Sequence, residues 1–126
     1  MRILFLDDDD NRHRAFSRWL TPGHDVVFVH TAAEAIQALT SQSFDIAFLD
    51  HDLGGEVMVT RVENTGYEVT LWMEAHELLC PAVVVLHSMN PSGRLRQQQA
   101  LRGLRNVTAH ALSFSSLMTT PCTLQA

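Results

Sequence analysis

Ile3-Leu4-Phe5-Leu6-Asp7-Asp8-Asp9-Asp10, Ile46-Ala47-Phe48-Leu49-Asp50-His51-Asp52-Leu53-Gly54-Gly55 and Val83-Val84-Val85-Leu86-His87-Ser88-Met89-Asn90 repeat one arrangement three times. Each is a short apolar run that ends in acidic or histidine-bearing residues. Runs of this length read as buried strands. In an open parallel α/β sheet, ligands bind outside the carboxyl ends of the strands. Polar chemistry at that position three times points to a phosphate or metal site built by one sheet edge.

The intervening sequence supplies the rest of an alternating pattern. Residues 10–20 carry helical spacing at Ala15, Phe16, Trp19 and Leu20, and Pro22-Gly23 ends that helix. Val26 to Val29 is a second strand. Thr31 to Glu34 is a capping-box pattern that opens a helix through Ala35, Ile36 and Leu39. Phe44 to Leu49 is the third strand. Residues 53–64 break the rhythm and are expected to form a small hairpin or flap. A helix follows to about residue 79, with Val69, Trp72, Met73 and Leu79 as core contacts. The fourth strand is 82–87. A polar helix over 93–104 uses Leu95, Leu101 and Leu104, and Val107 to Leu112 is the fifth strand. The tail, 113–126, is weakly patterned, with a short helix expected around Ser115 to Met118. Five alternations of strand and helix predict a three-layer α/β sandwich: a five-stranded parallel sheet with helices on both faces.

Composition bounds the function. The 126 residues suit a single domain over 1–126. No apolar run has the length of a membrane span, and the N-terminus lacks the pattern of a signal peptide. A cytoplasmic location and no membrane partner are therefore expected. The net charge of −5 disfavours nonspecific binding to duplex nucleic acid. All nine basic residues are Arg; the chain contains no Lys. Cys80 and Cys122 lie far apart without metal spacing and read as reduced thiols.

The order of elements and site positions resembles the receiver domains of bacterial response regulators. That resemblance implies the strand order 2-1-3-4-5. It matches Asp7 and Asp8 to the receiver acidic pair and Asp50 to the phospho-acceptor aspartate. It implies that these carboxylates, with the main-chain carbonyl of Asp52, hold a divalent cation, Mg²⁺ or Mn²⁺. Two departures stand out. His87 occupies the place of the receiver Thr or Ser, and the receiver Lys has no counterpart, His110 being a loose substitute. A narrower family fits better. Asp7-Asp8-Asp9 with Arg12, Asp50-His51-Asp52-Leu53-Gly54-Gly55, Thr65-Gly66 with Trp72, and His87-Ser88-x-Asn90-x-x-Gly93 are similar to the cyclic-phosphate-processing receiver-like domains. This resemblance implies a phosphoesterase acting on cyclic phosphates, in defence or counter-defence signalling.

Read as chemistry, Asp7, Asp8, Asp50 and Asp52 form an oxygen-donor set suited to a hard divalent ion. The competing reading, helix capping, is accepted for Asp10 and largely for Asp9. His51 and His87, with Asp50, are the candidate catalytic residues, because opening a cyclic phosphodiester needs a base and an acid. Ser88, Asn90 and Arg12 are candidate phosphate ligands, with pairing to Asp8 or a surface role equally open for Arg12. For Ser88 and Asn90 turn formation, with Ser92 as helix cap, is an equal alternative. Arg61 in the flap is placed to reach a second phosphate or a base. Arg94, Arg96, Arg102 and Arg105 read as a solvated face. His13, His24, His30 and His76 carry no motif.

Three functions remain open. The first is metal-assisted hydrolysis of a small-molecule cyclic phosphate, a cyclic nucleotide or a 2′,3′-cyclic end. The second is non-catalytic capture of an anionic nucleotide, with 53–64 as a lid. The third is a receiver phosphorylated on Asp50. The tail is too weakly patterned to set an oligomeric state.

Overall fold

Strands β1 (Arg2–Leu6), β2 (Asp25–Val29), β3 (Ile46–Leu49), β4 (Val83–Leu86) and β5 (Thr108–Ala111) form one parallel sheet in the order β2-β1-β3-β4-β5. Helices α1 (Asp10–Trp19), α2 (Ala32–Ser41), α3 (Gly66–Ala75), α4 (Pro91–Leu101) and α5 (Phe114–Thr119) connect and cover it. This is the expected receiver-like α/β fold. The computed structural model describes residues 1–125. Among them, no helix is long and apolar enough to cross a membrane.

Strand side chains alternate between the two faces. Leu4, Leu6, Ala47, Leu49, Val84 and Leu86 pack with Ala35, Leu39, Val69, Met73 and Leu101 beneath α2, α3 and α4. Ile3, Phe5, Ile46 and Phe48 pack with Phe16 and Leu117 beneath α1 and α5. Phe5 and Phe16 stack at 4.2 Å between ring centroids, and Phe48 meets Phe16 at 4.8 Å. Two covered faces explain why the central strands are continuous apolar runs.

The register does the positioning. Leu6 pairs with Leu49, and Leu49 with Leu86. The ladder then continues one step: the Asp7 amide bonds the Val29 carbonyl, the Asp50 amide that of Leu6, and the His87 amide that of Leu49. Asp7, Asp50 and His87 therefore stand in one row on three adjacent strands. Each shares the face of the residue two before it, which is the α1–α5 face. Asp8, His51 and Ser88 fall on the other.

Several expectations are corrected. Residues 53–64 form no hairpin. The segment turns through positive φ at Gly54 and Gly55 (both 79°), Met58 (52°) and Asn64 (47°), which is incompatible with a strand ladder. The third helix stops at Ala75, and a separate 3₁₀ turn covers Glu77–Leu79, so Leu79 is exposed rather than core. The fourth helix starts at Pro91, not 93. It buries Gly93, Gln97, Ala100 and Leu101, while Leu95 is exposed. The tail forms α5 and then docks on the end of α1: Trp19 Nε1 donates to the Thr120 carbonyl and Thr21 Oγ1 to that of Leu124.

Candidate functional site

Where the polypeptide leaves β1, the four aspartates part company. Asp9 caps α1, accepting from the Asn11 amide at 2.7 Å, and Asp10 lies in the first turn. Asp7 and Asp8 turn to the sheet edge. Asp7 Oδ1 accepts from the Asp9 amide at 2.9 Å. Its Oδ2 accepts from Arg12 Nε at 2.7 Å and from His87 Nε2 at 3.0 Å. Burial works to raise the Asp7 pKa, but the hydrogen bonds from His87 and Arg12 outweigh it and bring it to about 2.

Arg12 is the cation of the site. Its guanidinium lies within 3.6 Å of carboxylate oxygens of Asp7, Asp8, Asp9 and Asp50. Four carboxylates share one guanidinium, so ionisation of all four leaves a negative excess. Asp50 bears the consequence. Its Oδ1 accepts from the His51 amide at 2.9 Å. Its Oδ2 is buried without a hydrogen-bond partner among the described residues. Burial, reinforced by the charge of Asp7 and opposed by His87 and Arg12, pushes the Asp50 pKa up to about 7.

A cavity of about 420 Å³ opens over this row, lined chiefly by Asp8, Arg12, Asp50, Asp52, Gly55 and Ser88. Small-molecule sites commonly hold roughly 300–1,000 Å³. The Gly55 amide donates to Asp8 Oδ2 at 2.6 Å, which ties the 53–64 segment over the cavity.

Both histidines sit elsewhere than a direct proton-transfer role requires. His87 is fully buried, stacked on Phe5 at 4.9 Å, and its one hydrogen bond to the site is to Asp7. His51 is fully buried on the opposite face. Its Nδ1 donates to Asp52 Oδ1 at 2.8 Å and its ring packs on Gly93. The sheet period of two separates the rings that the sequence reading paired.

Asn90 is a structural clasp. Its Oδ1 accepts from the Gly93 amide and caps α4, the part expected of Ser92. Its Nδ2 donates to Asp52 Oδ1 at 3.0 Å and to the Val59 carbonyl. Asp52 Oδ2 accepts from the Met58 amide at 2.7 Å. Both carboxylate oxygens of Asp52 are thus committed, so its side chain is not a free ligand. Ser88 Oγ accepts from the Asn90 amide at 3.0 Å and keeps its own proton to donate.

The loop arginines also change reading. Arg61 is folded into its own segment, on Glu56 and the carbonyls of Leu53 and Glu63. Arg94 donates to the Ser88 carbonyl. Arg96 donates to the Thr60 carbonyl at 3.0 Å and lies 4.3 Å over the Tyr67 ring. His110 pairs with Val85 inside the exposed edge strand, short of the site. Gln97, unremarked in sequence, is fully buried and donates to the Asp50 carbonyl at 3.3 Å. Gly66 is equally necessary: a Cβ there would stand 1.7 Å from that same carbonyl oxygen.

The donor set fits a hard divalent ion. Ligand atoms of Asp7, Asp50 and His87 lie within 4.8 Å of one another, and the carboxylates that share the single Arg12 guanidinium leave a negative excess that a cation offsets.

Residues 2–103 match the model of the cyclic-phosphate processing receiver domain. The chain belongs to that family. Solved structures similar to it include receiver domains of response regulators. The response regulator TrrA of Thermotoga maritima, in complex with Mg²⁺-BeF, has a TM-score of 0.66 at 19% identity, covering 92% of this chain and 91% of that one. A sensor protein from a Polaromonas species reaches 0.66 at 21% identity, covering 93% and 89%. The receiver domain of an HD-domain-containing protein from Pseudomonas fluorescens reaches 0.64 at 16%, covering 93% and 87%. At these identities the likeness is one of fold. No curated protein matches the family member described here in sequence.

Proposed function

We propose that the acidic cavity hydrolyses a small cyclic phosphate, opening one ring P–O bond to give a phosphomonoester. The observation that carries this reading is Asp50 Oδ2: a buried carboxylate oxygen at the cavity, without a hydrogen-bond partner among the described residues and 3.6 Å from a guanidinium that it shares with Asp7, Asp8 and Asp9. Membership of a family described as processing cyclic phosphates supports the substrate class.

Asp7 and Asp8, with the main-chain oxygen of Asp52, are the residues that would hold Mg²⁺ or Mn²⁺, with Asp50 beside them as the proton acceptor. When bound, such an ion polarises phosphoryl oxygens and makes a coordinated water more acidic. The chain's own residues do the rest. Asp50 Oδ2 accepts a proton from the attacking water as its oxygen bonds to phosphorus, and the protonated carboxyl delivers it to the departing alkoxide. Arg12 offsets the charge of the phosphoryl oxygens. The Ser88 hydroxyl donates to one of them. His87 holds Asp7, and His51 holds the Asp52–Asn90 clasp. They are positioning residues.

Capture without turnover is the second reading. The enclosure of both histidines favours it, because Asp50 is then left to act as both base and acid. Phosphorylation of Asp50 is weaker, because the chain has no Lys to pair with an acyl phosphate.

The test is incubation of the protein and Mn²⁺ or Mg²⁺ with 2′,3′-cyclic, 3′,5′-cyclic and cyclic dinucleotide phosphates, with products resolved by chromatography. Conversion of one class to its monoester, stopped by a chelator, is the expected result. A compound retained unchanged on the protein would replace hydrolysis by capture. Recovery of every compound, unchanged and unbound, would contradict both.

A further inference from the structure

The sheet edge carries a second group of ligating side chains beside the first, with Asp10 standing at the rim of the cavity. His30 Nε2 lies 2.7 Å from Asp10 Oδ1, and His13 Nδ1 lies 3.8 Å from the same oxygen. All three atoms fall within 4.8 Å of one another, and the two imidazole centroids are 4.5 Å apart. The residues come from separate places: His30 follows β2, while Asp10 and His13 share the first turn of α1.

We propose that Asp10, His13 and His30 form a binding site for a borderline divalent transition metal, Zn²⁺, completed by water. Four features support it.

The first is the tautomer of His13. Its Nε2 lies 2.7 Å from the Asp7 main-chain oxygen, which can only accept, so Nε2 carries the proton. Nδ1 is left with its lone pair on the side of Asp10 and His30. Donation of the other ring N–H to a carbonyl is the usual device that orients a metal-binding imidazole.

The second is rigidity. His13 is buried, held edge-on by Phe5 at 5.5 Å and beside Phe28 at 5.1 Å. The His30 amide donates to Glu34 Oε1 at 3.1 Å, which fixes the backbone from which its ring projects. Asp10, the exposed third ligand, is free to adjust.

The third is spacing. Metal bonds of about 2.0–2.1 Å put tetrahedral donors about 3.4 Å apart. The two distances above straddle that value, so small side-chain rotations suffice.

The fourth is donor chemistry. Two imidazole nitrogens and one carboxylate suit Zn²⁺, whereas the oxygen-rich cavity suits Mg²⁺ or Mn²⁺. The two sites thus differ in preference. Access is open, since Asp10 and His13 line a groove of about 500 Å³ with Arg14, Arg18, Ser17 and Phe28. Arg14 and Arg18 of α1 are the opposing charges along this groove, and the Arg14 guanidinium is held to Asn11 Oδ1.

The test uses the intact protein after chelation and dialysis, near neutral pH. Zn²⁺ binding is followed by calorimetry, and Co²⁺ binding by its visible ligand-field absorption. The expected result is one Zn²⁺ whose affinity is unchanged in Asp50→Asn and falls by about tenfold or more in both His30→Gln and Asp10→Asn, the scale at which even outer-shell partners act. Both substituted side chains are exposed, so the variants keep the fold. Absence of Zn²⁺ binding by the parent, or parental affinity in either of the two variants, would overturn the proposal. Loss of binding in Asp50→Asn alone would assign the ion to the acidic cavity and overturn it as well.

Discussion

Asp50 has one oxygen tied to the His51 amide and the other 3.6 Å from Arg12 without a hydrogen-bond partner, in a setting that brings its pKa to about 7. A buried carboxylate in that state is costly when ionised. The unfolded chain titrates it near the ordinary value of 3.8, so the folded state holds the proton more tightly. Its contribution to stability is complete below that value and is lost as pH rises through about 7, with a slope of up to about 1.4 kcal/mol per pH unit. Melting followed from pH 5 to 8 is therefore expected to show falling stability in the metal-free protein, flattened in Asp50→Asn. Mg²⁺ should raise the melting temperature of the parent most at the alkaline end; equal curves for parent and variant would contradict this. Asp7 has the opposite sign. Its lowered pKa contributes stability above 3.8 that is lost as pH falls toward about 2.

The row of Asp7, Asp50 and His87 was legible in the sequence because each follows an apolar strand and the register is in step. The separation of the two histidines was legible too, had strand parity been applied: His87 lies an even number of residues from Val85, His51 from Leu49. The orphaned Asp50 oxygen was not legible. It depends on which acids Arg12 reaches, a matter of side-chain conformation one turn into α1.

At the scale of elements, the 53–64 segment and α4 hold each other. Asn90 caps the helix and grips Asp52 and Val59, while Arg96 reaches the Thr60 carbonyl. No local pattern signals these contacts, which explains why Asn90 read equally as a phosphate ligand and Arg96 as a solvated residue. Replacing Asn90 by Ala removes the cap and the clasp together. The expected loss is about 1–2 kcal/mol in chemical denaturation, with faster amide exchange over 55–62. A loss confined to stability, with exchange in that segment unchanged, would argue against the clasp. Gly66 and Gly93 have different reasons to be glycine from those at turns. A Cβ at Gly66 meets the Asp50 carbonyl, and one at Gly93 would lie 2.4 Å from His51 Cγ. Gly66→Ala is expected to cost about 1–3 kcal/mol as α3 is pushed off the strand end. It should also lower turnover through displaced Asp50, as a paired melting and rate measurement would register.

For the molecule as a whole, the sheet is the rigid part and the cavity sits at its edge. Phe5 belongs to both: it packs on Phe16 and Phe48 in the core and stacks under His87, which holds Asp7. Phe5→Leu is expected to keep the fold at reduced stability, while Phe5→Ala should cost about 3–5 kcal/mol, read from denaturant midpoints. The architecture followed from the alternation of buried runs and capped helices. The helix ends, the missing hairpin and the strap of the tail across Trp19 and Thr21 depend on contacts between distant segments, and local pattern does not carry them. The proposed hydrolysis comes down to Asp50. The decisive measurement is the rate of ring opening by the parent and by Asp50→Asn, folded to the same extent and saturated with Mn²⁺, on whichever cyclic phosphate is converted. The account predicts loss of about 10²–10⁴-fold in kcat, the usual worth of a general acid–base group. A variant that turns over at the parental rate would contradict it.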